Sequence, residues 1–379
     1  MKVLFSTMIL FFVNFGLPAQ SITADFKNID RWALSQKLQD TGLVTFTHHL
    51  LSPAQNDLEK IRAIFMFVIH YLEYDHAASD RVGKRINQNL YDIVKRKKGI
   101  CWDYTLLVCR MASIAGMECL PITGIGKDLQ NDEKVSNIPD HAWNMVQIDG
   151  NYFLLDATWE SNTIGLTDHF KDRYLTDYFL TDPHLFVKNH FPVLPEFQLL
   201  ECPVNFSSFA GDPQPSERDT TLCRFSFKDS IAVYRSLPFL DRKIREAKSI
   251  YTTLPNVKNK QSWGHALIDK AIRLKEEADQ SYEDGEFREA KGRYEHALGF
   301  FTEGTDLTPS YPWQDESRAF CHLNYAQVLY RINYEEDRPF KDVIKHLRQA
   351  KAILQTLQQQ TFAIQNSLEQ IDYQLSVLE

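Results

Sequence analysis

The chain has 379 residues, of which 44% are hydrophobic and 12% aromatic, and a formal net charge of -8. That is enough apolar material for a large core and too much chain for one ordinary domain. The acidic balance argues against nucleic acid or an anionic lipid surface as the main partner.

Residues 1–21, MKVLFSTMILFFVNFGLPAQS, begin with a basic Lys2, run apolar from Val3 to Leu17 and end on small and polar residues. The run is too short to span a bilayer and nothing after it stops transfer, so it predicts a secretory signal peptide; a buried N-terminal helix is the alternative. No later segment approaches a membrane span. The expected mature chain is soluble and exported, either secreted or periplasmic. Export permits disulfides. The six cysteines, Cys101, Cys109, Cys119, Cys202, Cys223 and Cys321, form no CxxC pair, so no metal cluster is expected. Cys109 lies in an apolar helical stretch and reads as a packing residue. Whether Cys202 pairs with Cys223 is left open.

Residues 57–72, DLEKIRAIFMFVIHYL, space their apolar side chains as a broadly buried helix. A second helix is predicted over 102–115, stopped by Gly116. PITGIG (121–126) suits a short strand and turn, and 126–140 is a polar loop. HAWNMVQIDGNYFLLDATW (141–159) reads as two strands joined by a turn. Residues 161–200 are aromatic-rich and irregular. Residues 204–220, rich in Ser, Pro, Asp and Gly, mark a boundary. From about residue 225 the pattern is helical almost to the end.

The helical half shows an internal repeat. Ala290, Tyr294 and Ala297 recur in spacing as Val343, Leu347 and Ala350, with Ala278, Tyr282, Gly285, Phe287 and Ala326 around them. Small residues at these positions let paired helices approach closely. This pattern resembles the tetratricopeptide repeat, over about residues 264–357, with a last helix near 359–378 as a cap. An ordinary helical bundle is the alternative.

Chemistry centres on KKGICWDYTLLVCRMASIAGM (97–117). If a helix starts at Cys101, its positive end favours thiolate, and its amides offer an oxyanion site. The KRKK run at 95–98 reads as a solvated approach that also adds positive field. A base is needed. Asp149-Gly150 is a two-residue turn signal, which sets Ile148 opposite Asn151 and pairs positions summing to 299. His141 and Asp156 then become diagonal neighbours on one face, where a carboxylate orients an imidazole. A three-residue loop would separate them. The His48-His49 pair, His70 and His76 lack carboxylate spacing for a metal site, and GIGKD is not a phosphate-binding loop.

The ordered motifs GICWDY, HAWN and LLDATW resemble the transglutaminase-like superfamily, over about residues 45–200. IFMFVIHYLEYD resembles the family's helix and aromatic-Asp turn. YFLTDPHLFVKNHFPVLPEFQLL resembles the tail of the branch related to cytokinesis-linked and muscle-linked members. The resemblance implies an α+β, papain-related domain in which Cys101 is nucleophile, His141 general base and acid, and Asp156 the orienting carboxylate. It leaves the oxyanion side chain unassigned, with Trp102 and Gln88 as candidates. No calcium loop is recognisable, and no cofactor or metal is expected.

The expected architecture is a signal peptide (1–21), a transglutaminase-like domain (22–203), a linker with connecting helices (204–260) and an all-α, tetratricopeptide-like domain (261–379). The expected function is thiol-dependent acyl transfer at amide bonds of a protein or peptide substrate. Hydrolysis is favoured over cross-linking because water is abundant and no second-substrate site is evident. A protein partner through the helical repeats, or a non-catalytic scaffold, is the alternative.

Overall fold

The structure, a computed structural model, describes residues 25–38, 42–79, 89–127, 135–164, 177–211 and 225–379. The signal-peptide stretch, Gln88 and Cys223 lie outside the described residues. The elements in order are α1 (Lys27–Ser35), α2 (Leu43–Leu50), α3 (Asp57–Tyr71), β1 (Glu73–Tyr74), α4 (His76–Ser79), α5 (Leu90–Arg96), β2 (Lys98–Gly99), α6 (Cys101–Ile114), β3 (Cys119–Gly126), β4 (His141–Ile148), β5 (Asn151–Leu155) and α7 (Ala157–Ile164). There follow β6 (Phe179–Thr181), α8 (Pro183–Phe186), β7 (His190–Pro192), α9 (Phe206–Gly211), α10 (Phe227–Ser236), α11 (Phe239–Thr253), α12 (Val257–Glu283), α13 (Phe287–Leu307), α14 (Pro312–Glu335), α15 (Lys341–Thr356) and α16 (Phe362–Leu378).

The N-terminal fold is α+β and the C-terminal part is mostly helical. Five strands form one sheet in the order β6-β5-β4-β3-β7, and β1 and β2 pair separately in parallel. Contacts divide the chain into two compact units. One holds Met1–Ile122 and Ala142–Lys188, the other Thr123–His141 and Asn189–Glu379.

In the first unit α3 is the central core helix. Every residue from Ile61 to Ile69 is buried, the pattern of a helix apolar on all sides. The one charge in that run, Arg62, makes a bidentate pair with Asp30 of α1 at 2.7 and 2.8 Å. Its guanidinium also covers the Phe26 and Phe179 rings. Burial raises the Asp30 carboxyl even against Arg62, which is the desolvation cost of a buried ion pair. Helix α6 ends as expected: Gly116 has φ +74° and the Met117 amide returns to Ala112 O, a Schellman stop.

In the second unit α12 to α16 enclose their own core. Ala278, Ala290, Tyr294, Ala297, Ala326, Val343, Leu347 and Ala350 are all buried in it. Gly285 turns α12 into α13 with φ +81°. The two helices cross at Gly264 and Gly304. A Cβ on Gly264 would lie 2.8 Å from Gly304 O, and one on Gly304 2.9 Å from Gly264 O. Only glycine permits that approach.

Two readings need correction. Residues 157–159 are not strand but the first turn of α7, because Asp156 caps a helix there instead of extending the hairpin. The segment 177–200, read as irregular, supplies both edge strands of the sheet. Three-residue strands are too short to show alternation.

Candidate active site

The start of α6 is fixed by local geometry. β1 and β2 set Tyr74 opposite Gly99, and the Asp75 amide donates to Gly99 O at 3.0 Å. The Ile100 amide donates to Asp103 Oδ2 at 2.9 Å, the return arm of a capping box. This brings Asp103 so close that a Cβ on Gly99 would sit 2.6 Å from Asp103 Cβ. Tyr104 hydroxyl donates to Leu72 O at 2.7 Å and ties the helix to the end of α3. Cys101 is thus the first residue of α6, half-buried, at the positive end of the helix dipole. The neighbouring basic run is exposed, and Lys98 pairs with Glu73 at 3.4 Å. Trp102 is half-buried.

The hairpin has the register summing to 299, with Ile148 opposite Asn151 and Asn144 opposite Leu155. Asp149 and Gly150 have φ +50° and +76°, as a type I′ turn requires. Pairing stops at Leu155. Asp156, fully buried, then accepts from the Thr158 amide at 2.8 Å and the Trp159 amide at 3.2 Å. Two backbone donors fix this carboxylate and complement the start of α7.

His141 is the first residue of β4 and is part-buried. Its ring lies 5.4 Å from that of His190, centroid to centroid. His190 is buried, and its Nδ1 lies 2.7 Å from Asn189 Oδ1. An amide oxygen only accepts, so Nδ1 donates in this bond. One ligand atom from each of His141, Asp156 and His190 lies within 4.8 Å of the other two. The structure therefore brings His141 and Asp156 together. Cys101 is not a member of that set. A fixed carboxylate beside an imidazole can hold its tautomer and stabilise its cation. Two imidazoles and a carboxylate are also donor types that suit a transition-metal ion.

Sequence reasoning missed His190. It reaches the site through the sheet: His190 pairs with Gly126 of β3. The Gly126 amide donates to Asp140 Oδ1 at 3.0 Å, one residue before His141. Burial raises the Asp140 carboxyl, against the lowering effect of this bond and of His141. No spacing rule links KNHFP to HAWN. Of the cysteines, Cys101, Cys109, Cys119 and Cys321 are free and Cys202 is disulfide-bonded.

Residues 44–157 match the profile of the transglutaminase-like superfamily. This segment is a transglutaminase-like domain. It contains Cys101, His141 and Asp156. The chain is 36% identical to human kyphoscoliosis peptidase over 190 residues, covering 49% of this chain and 28% of the human protein. It is 26% identical over 209 residues to hillarin of Drosophila melanogaster, covering 50% and 25%. To cytokinesis protein 3 of Schizosaccharomyces pombe it is 24% identical over 193 residues, covering 50% and 21%. The chain spans less than a third of the length of these curated relatives.

Proposed function

We propose that this chain is an exported thiol acyl-transfer enzyme acting on amide bonds of proteins or peptides. Cys101 attacks the amide carbonyl, and His141 takes the thiol proton and gives it to the leaving amine. Asp156 holds the His141 tautomer. The acyl-thioester then passes to water, with an amine acceptor as the cross-linking variant. The observation that carries this reading is the buried Asp156 carboxylate, fixed by two amides and within 4.8 Å of His141. Its place within the transglutaminase-like domain supports it, as does the position of Cys101 at the mouth of α6. The name of the human relative, a peptidase, agrees with hydrolysis.

The test is thiol labelling near neutral pH, read by peptide mass spectrometry. Cys101 is expected to react faster than Cys109, Cys119 and the buried Cys321, with the advantage lost in His141→Ala of unchanged circular dichroism. Labelling of Cys101 at the rate of an unstructured thiol, with or without His141, defeats the reading. That outcome favours a second one, a binding scaffold. Its motivation is that α12 to α16 carry a core of their own and that Tyr330 and Tyr334 stack on the exposed side of α14. In this second reading the helices, tetratricopeptide-like in pattern, hold a protein partner.

A further inference from the structure

Helix α6 carries another cysteine two turns beyond its first. Cys109 meets Cys119, the first residue of β3, with the two Sγ atoms 2.9 Å apart. The gap is about 0.9 Å longer than a disulfide bond. Asn144, buried in β4, aims its amide at the same point. Its Nδ2 lies 3.1 Å from Cys109 Sγ, 3.4 Å from Cys119 Sγ and 3.0 Å from Thr105 O. A helix and two strands thus converge on a sulfur pair with a polar donor beside it. Two thiols kept only to fill core volume have no use for that donor, whereas a thiolate does.

We infer that Cys109 and Cys119 are a redox-active dithiol that closes to a disulfide by exchange with a small-molecule disulfide such as oxidised glutathione. Cys109 thiolate attacks one sulfur of the small disulfide, whose S–S bond breaks and releases one thiolate. Cys119 thiolate then attacks Cys109 Sγ, forms the protein disulfide and expels the second thiolate. The protein loses two protons and two electrons, and the small disulfide gains them as two thiols. Burial, and then the adjacent Cys109, push the Cys119 thiol well up, which suits Cys119 to the second, intramolecular step. The Asn144 amide stabilises negative charge on either sulfur. The closed bond fastens α6, whose first residue is Cys101, to the sheet. The inference does not rest on the acyl-transfer reading and holds for a scaffold as well.

The experiment equilibrates the folded full chain across reduced-to-oxidised glutathione, caps remaining thiols and maps tryptic peptides. Cleavage after Lys98, Arg110 and Lys127 yields peptides 99–110, with Cys101 and Cys109, and 111–127, with Cys119. Oxidised samples are expected to contain these two joined, lighter than their sum by two hydrogens. The link is expected to persist in Cys101→Ser, to vanish in Cys109→Ser, and to raise the thermal midpoint of the wild type. If Cys109→Ser does not fold, fragmentation of the joined peptide names the bonded cysteine directly. Cys109 and Cys119 both capped across the whole series, or a link that survives in Cys109→Ser and disappears in Cys101→Ser, overturns the inference.

Discussion

Glu160 sits in the first turn of α7, 4% exposed, with its carboxylate accepting the Tyr178 amide at 3.0 Å. Burial pushes its carboxyl up to about 7, more than that hydrogen bond pulls it down. The folded value lies above the unfolded one, so the folded state holds this proton more tightly. The associated stability is complete below about pH 4.5 and is lost as pH rises through about 7. The size is about 3 kcal/mol, at 1.36 kcal/mol for each unit. Glu160→Gln keeps an oxygen for the Tyr178 amide but cannot ionise. Denaturant titrations from about pH 5 to about pH 8 are expected to show wild type losing stability relative to Glu160→Gln. Parallel profiles would exclude Glu160 as the titrating group. The neighbouring Asp156 shows how much one residue's reading depends on its surroundings. From sequence it was a strand residue beside His141, and in the fold it is also the cap of α7. The signal was present: Asp is a strong N-cap, and its amide partners lie two and three residues on.

At the scale of elements, the start of α6 decides where Cys101 stands. Gly99 is in extended pairing with β1 and touches Asp103, so its role is close approach and not a left-handed turn. Gly99→Ala drives a methyl into Asp103 and disturbs the bond from Ile100. The expected cost is about 1–3 kcal/mol, with slower labelling of Cys101 because the first turn moves. Chemical denaturation and labelling rate check both; unchanged values for the two would show that the first turn absorbs the methyl. The β4–β5 hairpin was readable because Asp149-Gly150 fixes a two-residue turn and the strand period of two does the rest. The edge strands β6 and β7 were not readable. Each has three residues, and neither alternates between a buried and an exposed face.

At the scale of the whole molecule, the described residues include two large cores without shared residues, one around α3 and α6 and one around α12 to α16. Chains built this way depart from two-state unfolding. Four of the six tryptophans, Trp32, Trp102, Trp143 and Trp159, belong to the first unit, and Trp263 and Trp313 to the second. The long helices are in the second unit. Urea curves followed by tryptophan fluorescence and by far-ultraviolet circular dichroism are therefore expected to have different midpoints. Coincident curves would mean that the cores unfold as one cooperative body. Among the described residues no helix is long and apolar enough to cross a membrane.

The amino-acid sequence by itself determined the features written in local periods. The burial of α3, the stop at Gly116, the hairpin register and the small residues packed within α12 to α15 are each signalled by residues a few positions apart along the chain. The tertiary structure alone decided which distant groups meet. His190 arrives beside His141 through pairing of β7 with β3, and Cys109 reaches Cys119 across a helix-to-strand turn backed by Asn144. Such meetings depend on sheet order and helix docking, which arise from burial of many side chains at once and leave no fixed spacing in the sequence.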